Sequence, residues 1–227
     1  MINYNTSIIV KQSQFFMNLN ITKEACVDSY HAAFNAERLG ADRLELCSNL
    51  ELDGLTPSKK LIKRSIKNIS IPLKIMIRLR KGNFIYNQNE IDQMIIDIDF
   101  CQNLGINEIV FGALNSKKQA DINILKKITK KFPEINITFH KAIDLTNDIF
   151  TEINKLTSIP QIKSILTSGG SSNAISGSDN IKKIISLFND RLTIIAAGRI
   201  TKKNLPQIHS LINGTDYHGK KIVGNLN

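Results

Sequence analysis

The chain has 227 residues, of which 42% are hydrophobic, and it carries a formal net charge of +10. This length supports one sizeable core and is short for two domains. The lack of Trp and an aromatic content of 6% argue against a protein that binds nucleic acid by stacking bases on aromatic rings.

The basic residues and the apolar runs also argue against a nucleic-acid or membrane partner. Lysines occur as scattered pairs on predicted helices and loops, for example Lys59-Lys60 and Lys126-Lys127. Such pairs are typical of a solvated surface rather than of a binding site. No window approaches the roughly 18 apolar residues of a membrane span. We therefore expect neither partner.

The cysteines and the first residues predict a cytoplasmic protein. Cys26, Cys47 and Cys101 occur without a recognisable secretory signal, which favours a reducing compartment. The apolar run at residues 8–10 ends well before it reaches the length of a signal-peptide core. Residues 1–20 are expected to be a disordered or non-native extension, and residues 21–227 a single domain.

Strands and helices alternate along the predicted domain. Strands are predicted at residues 21–27, 43–46, 73–77, 108–111, 135–139, 162–166, 192–197 and 215–218. Helices are predicted at residues 30–39, 58–69, 90–104, 122–132, 149–156, 179–188 and 204–212. This alternation predicts a parallel sheet, and eight strands favour a closed (β/α)₈ TIM barrel over an open sheet. Because few residues follow His218, the last βα unit is expected to be incomplete.

Ionisable groups follow several predicted strands, at the edge where α/β folds usually place their chemistry. Glu45 alternates with apolar neighbours and is expected to point into the barrel, either as a base or as a structural counter-ion. Arg78 and Arg80 share strand parity and are expected to face the same side of the mouth. The two arginines either bind a carboxylate or phosphate or pair with Glu24 or Glu45.

The fifth and sixth strands also end in polar groups. His140 is a candidate general acid or base that Asp144 would orient, and the alternative is a histidine satisfied by a loop carbonyl. Ser168 begins a Ser-Gly-Gly loop that resembles phosphate-cradling loops in other barrels. Residues 82–86 form either a lid or an aromatic plug at the rim.

Several motifs closely resemble the CutC family. They are Glu24-x-Cys26, GADRLELC at 40–47, GLTPS at 54–58, IRLRKGNFIY at 77–86, VFGAL at 110–114, TFHKAID at 138–144 and LTSGG at 166–170. The resemblance spans roughly residues 24–218 and implies a TIM barrel. The sequence departs from the family pattern after the seventh strand, where Ala197 and Arg199 stand at glycine positions, and in its last motif, Asp216-x-His218.

The resemblance implies a function that differs from the one indicated by the rim residues. It implies a role in copper homeostasis, with Cu(I) bound through Cys26 and Cys47, and a homo-oligomer of two or more subunits. Cu(I) favours sulfur ligands, although a free cysteine commonly only packs in a core. Cys101 lies on the apolar stripe of a predicted helix and is expected to be core. The rim residues indicate instead an enzyme of unknown reaction that acts by acid–base chemistry on a small anionic metabolite.

Overall fold

The computed structural model describes residues 21–226, in which eight parallel strands form a closed barrel in chain order. The strands are β1 Thr22–Val27, β2 Arg43–Leu46, β3 Leu73–Met76, β4 Glu108–Phe111, β5 Asn136–Phe139, β6 Ile162–Thr167, β7 Thr193–Ala196 and β8 Asp216–Gly219. Pairing of β1 with β8 closes the barrel, with Glu24 opposite His218. The TIM-barrel prediction is confirmed, whereas the predicted extension at 1–20 lies outside the described residues.

Helices follow the first seven strands, and most begin at a side-chain cap. They are α1 Tyr30–Arg38, α2 Lys59–Asn68, α3 Gln88–Gln102, α4 Ile122–Lys131, α5 Ile149–Leu156, α6 Ser178–Phe188 and α7 Leu205–Ile212. Ser29 and Ser58 cap α1 and α2, and a capping box between Asn87 and Glu90 starts α3. These caps satisfy N–H groups that the first helical turn leaves unpaired. Over residues 21–226, the helices all fall short of what a bilayer span requires.

The strands separate two kinds of buried side chain. Ile75 and Ile77 belong to the large apolar core that the strands form with the helices. Met76 points the other way and packs with Cys26, Cys47 and Val110. This alternation is the period of two that a strand imposes on its side chains. The same alternation directs the side chains of Cys26 and Cys47 into the barrel interior.

The segment after β8 closes the fold without a helix in the described part of the chain, as the sequence predicted. Ile222, Val223 and Leu226 are buried in the large core. The Asn35 side chain on α1 also donates to the Leu226 carbonyl at 2.9 Å. These contacts hold the segment against the barrel.

Candidate functional site at the barrel mouth

A cavity of about 1260 Å³ opens at the carboxyl ends of the strands. Of the side chains singled out from the sequence, it is lined by Cys26, Glu45, Arg78, His140 and Asp144. Arg80, Ser168 and Cys47 are not among its lining residues. The barrel therefore brings most of the predicted residues to one concave site, the usual location of chemistry in this fold.

Cys26 lies at the centre of a small polar cluster. Its Sγ is 3.6 Å from Cys47 Sγ and donates to Glu45 Oε1 at 3.2 Å. Cys47 is fully buried, and its thiol donates to the Val27 carbonyl at 3.3 Å. Cys26, Glu45 and His218 each offer one atom suited to a metal, and these three atoms lie within 4.8 Å of one another. Cys26 thus has a second thiol on one side and a carboxylate–imidazole pair on the other.

Sequence reasoning did not assign His218 to this cluster. His218 Nδ1 is 2.9 Å from Glu24 Oε1, which leaves Nε2 available for another partner. Glu24 also contacts Lys74 Nζ at 3.3 Å and Arg43. The one signal in the sequence was the Asp216-x-His218 motif, which puts His218 at inward parity on the strand that closes against β1.

Burial and neighbouring charges shift the pKa values in this cluster in opposite directions. Burial alone would raise the pKa of Glu24, but Lys74, the hydrogen bond with His218, and Arg43 hold it well below its usual range. Burial raises the pKa of Glu45. The hydrogen bond with Cys47, burial and the Glu45 charge together raise the pKa of the Cys26 thiol. The interior therefore has one firmly ionised carboxylate, Glu24, and a second carboxyl group, Glu45, that burial drives toward its neutral form.

Burial and neighbouring groups act on the pKa of His218 in the directions opposite to those for Glu24. Burial alone would lower its pKa, but the Glu45 charge and the hydrogen bonds with Cys26 and Glu24 raise the pKa well above its ordinary value. A cation at His218 also favours the ionised form of Glu24 beside it. The two residues form a buried ion pair in the barrel interior.

Arg78 uses only part of its guanidinium group within the protein. Its Nη1 donates to the carbonyls of Leu52, Asp53 and Gly54, each at 3.2 Å, and so holds the loop after β2. Its Nε is buried without a partner among residues 21–226. The guanidinium lies 4.9 Å from the centre of the Phe84 ring.

Arg80 does not join Arg78 at the cavity, so the prediction that both face one side of the mouth is wrong. Arg80 contacts Glu90 at 2.5 Å and donates to the carbonyls of Asn83 and Ile85 at 3.1 and 2.8 Å. Regular strand geometry ends at Met76, so the alternation assumed for residues 78 and 80 no longer holds. Arg80 instead anchors the loop that carries Phe84.

His140 is a buried neutral imidazole. Its Nδ1 accepts from the Ala142 N–H at 3.2 Å, and its Nε2 is buried without a partner among the described residues. Burial and the Arg78 charge lower the pKa of His140 to about 3. Because Nδ1 accepts, the ring proton is on Nε2, which makes that atom a donor. A Cβ at Gly112 would lie only 2.5 Å from Nδ1, so glycine provides the room for this ring.

Asp144 does not orient His140; its carboxylate binds the loop after β6. It accepts from the Thr167 hydroxyl at 2.5 Å and from the N–H groups of Ser168 and Gly170 at 3.0 and 2.9 Å. Lys141 Nζ contacts the same carboxylate at 2.6 Å. The loop amides that resemble a phosphate cradle are thus occupied by an internal anion. Ser168 itself is fully buried beneath them.

The rim of the cavity is rich in cations. Lys81, Arg199, Lys220 and Lys221 line it together with Arg78 and Lys141. Lys220 Nζ donates to the Leu50 carbonyl at 2.5 Å. Arg199 has φ 59°, a left-handed conformation that favours glycine, so the backbone keeps a glycine-like shape where the sequence lacks that glycine. Clustered cations at a concave site attract anions toward it.

Comparison with known proteins gives a consistent result. The model of the CutC family matches residues 21–223. The human protein named copper homeostasis protein cutC homolog is 36% identical over 195 residues, which cover 86% of this chain and 71% of the human one. The homologue of that name from Dictyostelium discoideum is 37% identical and covers 88% and 81% of the two chains. The crystal structure of a copper homeostasis protein CutC from Streptococcus agalactiae superposes with a TM-score of 0.84 at 28% identity, covering 89% of this chain and 99% of that one.

Proposed function

The chain belongs to the CutC family, and from that premise we propose that it binds Cu(I) through Cys26 and Cys47 in the service of copper homeostasis. Relatives of this chain are named for that role. The ion would be the cargo of the protein rather than a resident cofactor. The predicted cytoplasmic location and self-association stay predictions.

The proximity of the two thiols carries this proposal. The two Sγ atoms are 3.6 Å apart. With metal–sulfur bonds of about 2.3 Å, as for zinc, two sulfurs on one ion lie at most about 4.6 Å apart. The observed separation therefore suits two thiolates on a single ion without movement of the strands. Cys26 also lines the cavity, which gives an ion a route to the sulfur.

The neighbours of Cys26 extend the donor set. A His218 ring nitrogen and a Glu45 oxygen lie within reach of the same point as Cys26 Sγ. Imidazole suits copper, whereas carboxylate is a harder ligand that Cu(I) favours less. Glu24 holds His218 Nδ1 at 2.9 Å, and such outer carboxylates commonly orient metal-binding histidines. We therefore assign His218 as the third ligand, which it becomes when the ion displaces its ring proton, and Glu45 as a neighbour that accepts a hydrogen bond from the Cys26 thiol.

The experiment is a Cu(I) titration of the reduced protein against a competing chelator. We expect one ion per chain for the unmodified protein and for Cys101→Ser, because Cys101 is buried in the outer core. The variant with both Cys26→Ser and Cys47→Ser should lose this binding. His218→Gln should bind more weakly while retaining the ion, since both thiolates remain.

Equal binding by the double cysteine variant and the unmodified protein would refute the thiolate site. Retained affinity in His218→Gln would refute the third ligand alone. Thermal unfolding of each apo variant should accompany the titration, because a loss of folding would also abolish binding.

A further inference from the structure

We propose that the cavity binds a small carboxylate-bearing molecule through the guanidinium edge of Arg78 and the Nε2–H of His140. This site is separate from the two thiols and does not depend on copper. It specifies a carboxylate as the charged group of the small anionic metabolite that the rim residues predict.

Arg78 presents one edge of its guanidinium group without a protein partner. The three hydrogen bonds of the guanidinium group all come from Nη1, while Nε is buried and unpaired among residues 21–226. Nη2 makes no hydrogen bond within that range either. Nε and Nη2 form the side of the fork that matches the two oxygens of a carboxylate. A buried donor left unpaired costs roughly 1–3 kcal/mol, so this edge favours a ligand.

His140 supplies a second unpaired donor at the same cavity. Only 4% of the residue is exposed, and its Nε2 has no partner in the described part of the chain. Its Nδ1 is fixed by the Ala142 N–H, so the ring cannot turn over without losing that bond. Arg78 and His140 both pack on Phe84, the arginine at 4.9 Å and the imidazole at 4.8 Å from the ring centre. The two donors therefore flank one aromatic side chain.

The surroundings favour a negative ligand over a neutral one. Lys81, Arg199 and Lys221 line the cavity and form no ion pair with any residue from 21 to 226. Four acidic residues also line the cavity, Glu45, Glu51, Asp53 and Asp144, and two of them are less able to repel an anion. The Asp144 carboxylate pairs with Lys141 and accepts hydrogen bonds from Thr167, Ser168 and Gly170, and burial raises the pKa of Glu45. Phe84 provides an apolar surface for the carbon part of the ligand.

The test is NMR titration of the reduced, copper-free protein with acetate, pyruvate and succinate. Acetamide serves as the uncharged analogue, and inorganic phosphate as a different oxyanion. At least one carboxylate should saturably shift the Arg78 Nε–H and His140 side-chain resonances, and acetamide should not. His140→Asn should weaken binding by about tenfold or more, as expected for a lost bond to a charged group. Asn keeps a side-chain oxygen for the Ala142 N–H.

Matched variants separate binding from folding. His31→Asn makes the same change on the exposed surface of α1 and should leave binding intact. Arg78→Lys keeps the charge and removes the bidentate edge, and Arg191→Lys makes that change at an exposed position that does not line the cavity. Only the first of these should weaken binding.

Independence from copper gives the last criterion. The variant with both Cys26→Ser and Cys47→Ser should still bind the carboxylate, and His140→Asn should still bind Cu(I). Either proposal can thus fail while the other holds. The absence of saturable shifts for all three carboxylates would overturn the carboxylate site. So would His140→Asn and Arg78→Lys variants that bind the carboxylate as tightly as the unmodified protein does. Phosphate binding that both variants retain would overturn it as well.

Discussion

His140 shows how burial of a single residue links the site to stability. Its pKa is lowered from 6.5 to about 3 in the folded protein, whereas an unfolded histidine keeps its ordinary value. Between these two pH values the unfolded chain binds a proton that the folded chain does not. The free energy of unfolding should therefore fall as pH falls below 6.5, with about 1.4 kcal/mol lost for each pH unit. The loss should level off near pH 3, where the folded histidine also titrates.

The measurement is urea denaturation of the unmodified protein and His140→Asn at pH values between about 6.5 and about 3. Asn removes the titrating ring and keeps the cap on Ala142. Carboxylates with shifted pKa values, such as Glu24 and Glu45, affect both proteins alike, so the difference between the two curves isolates His140. A difference that does not change with pH would contradict a buried neutral imidazole.

The two arginines after β3 show what sequence pattern cannot fix at single residues. Arg78 and Arg80 are equivalent by parity, yet one lines the cavity and the other binds Glu90. Parity predicts direction only while the backbone stays extended, and β3 ends at Met76. Glu45, the third residue of the four-residue strand β2, was placed correctly because it lies within regular strand geometry.

At the scale of elements, the turn after β5 and the loop after β6 act as one unit. Asp144, in the 3₁₀ turn Lys141–Leu145, accepts hydrogen bonds from Thr167, Ser168 and Gly170. We expect Asp144→Ala to free these donors and to speed hydrogen exchange of the Ser168 and Gly170 amides. Asp190→Ala, which removes an exposed carboxylate in the turn after α6, is the control.

Unchanged exchange at these two amides in Asp144→Ala would mean that the loop is held by other contacts. If exchange is faster, as expected, the freed amides form an empty anion cradle. If added phosphate restored slow exchange in Asp144→Ala alone, the Asp144 carboxylate would be shown to occupy the place of a phosphate.

The bounds of the strands and helices follow closely from the sequence, but the contacts between side chains at the rim do not. The predicted strands agree with the observed ones to within a residue or two, because apolar runs and capping residues bound each element locally. The expected pair of His140 and Asp144 fails because the intervening turn sends the two side chains to different partners. That choice depends on the neighbouring strand β6, which is distant in sequence.

At the scale of the whole molecule, closure of the barrel creates a charged layer that no local pattern predicts. Glu24 on β1 contacts Arg43 on β2, Lys74 on β3 and His218 on β8. The sequence suggested Glu24 as a partner for Arg78 or Arg80, whereas closure gives it three other cations. Only the pairing of β8 with β1 brings His218 to this carboxylate, so the proposed third copper ligand depends on the complete ring of strands.

This layer makes Glu24 a critical residue for folding of the barrel. Glu24 is fully buried, and its removal leaves Lys74, with 5% of its side chain exposed, and His218 without their shared counter-ion. Removing one partner of a buried ion pair typically lowers the free energy of unfolding by about 3–5 kcal/mol. We expect Glu24→Gln to lower the free energy of unfolding in urea at pH 7 by about that amount. Glu134→Gln, at an exposed position, should change it by less than about 0.5 kcal/mol. Equal stability of the two variants would show that the interior cations do not need Glu24, and it would remove the reason to treat the charged layer as a determinant of closure.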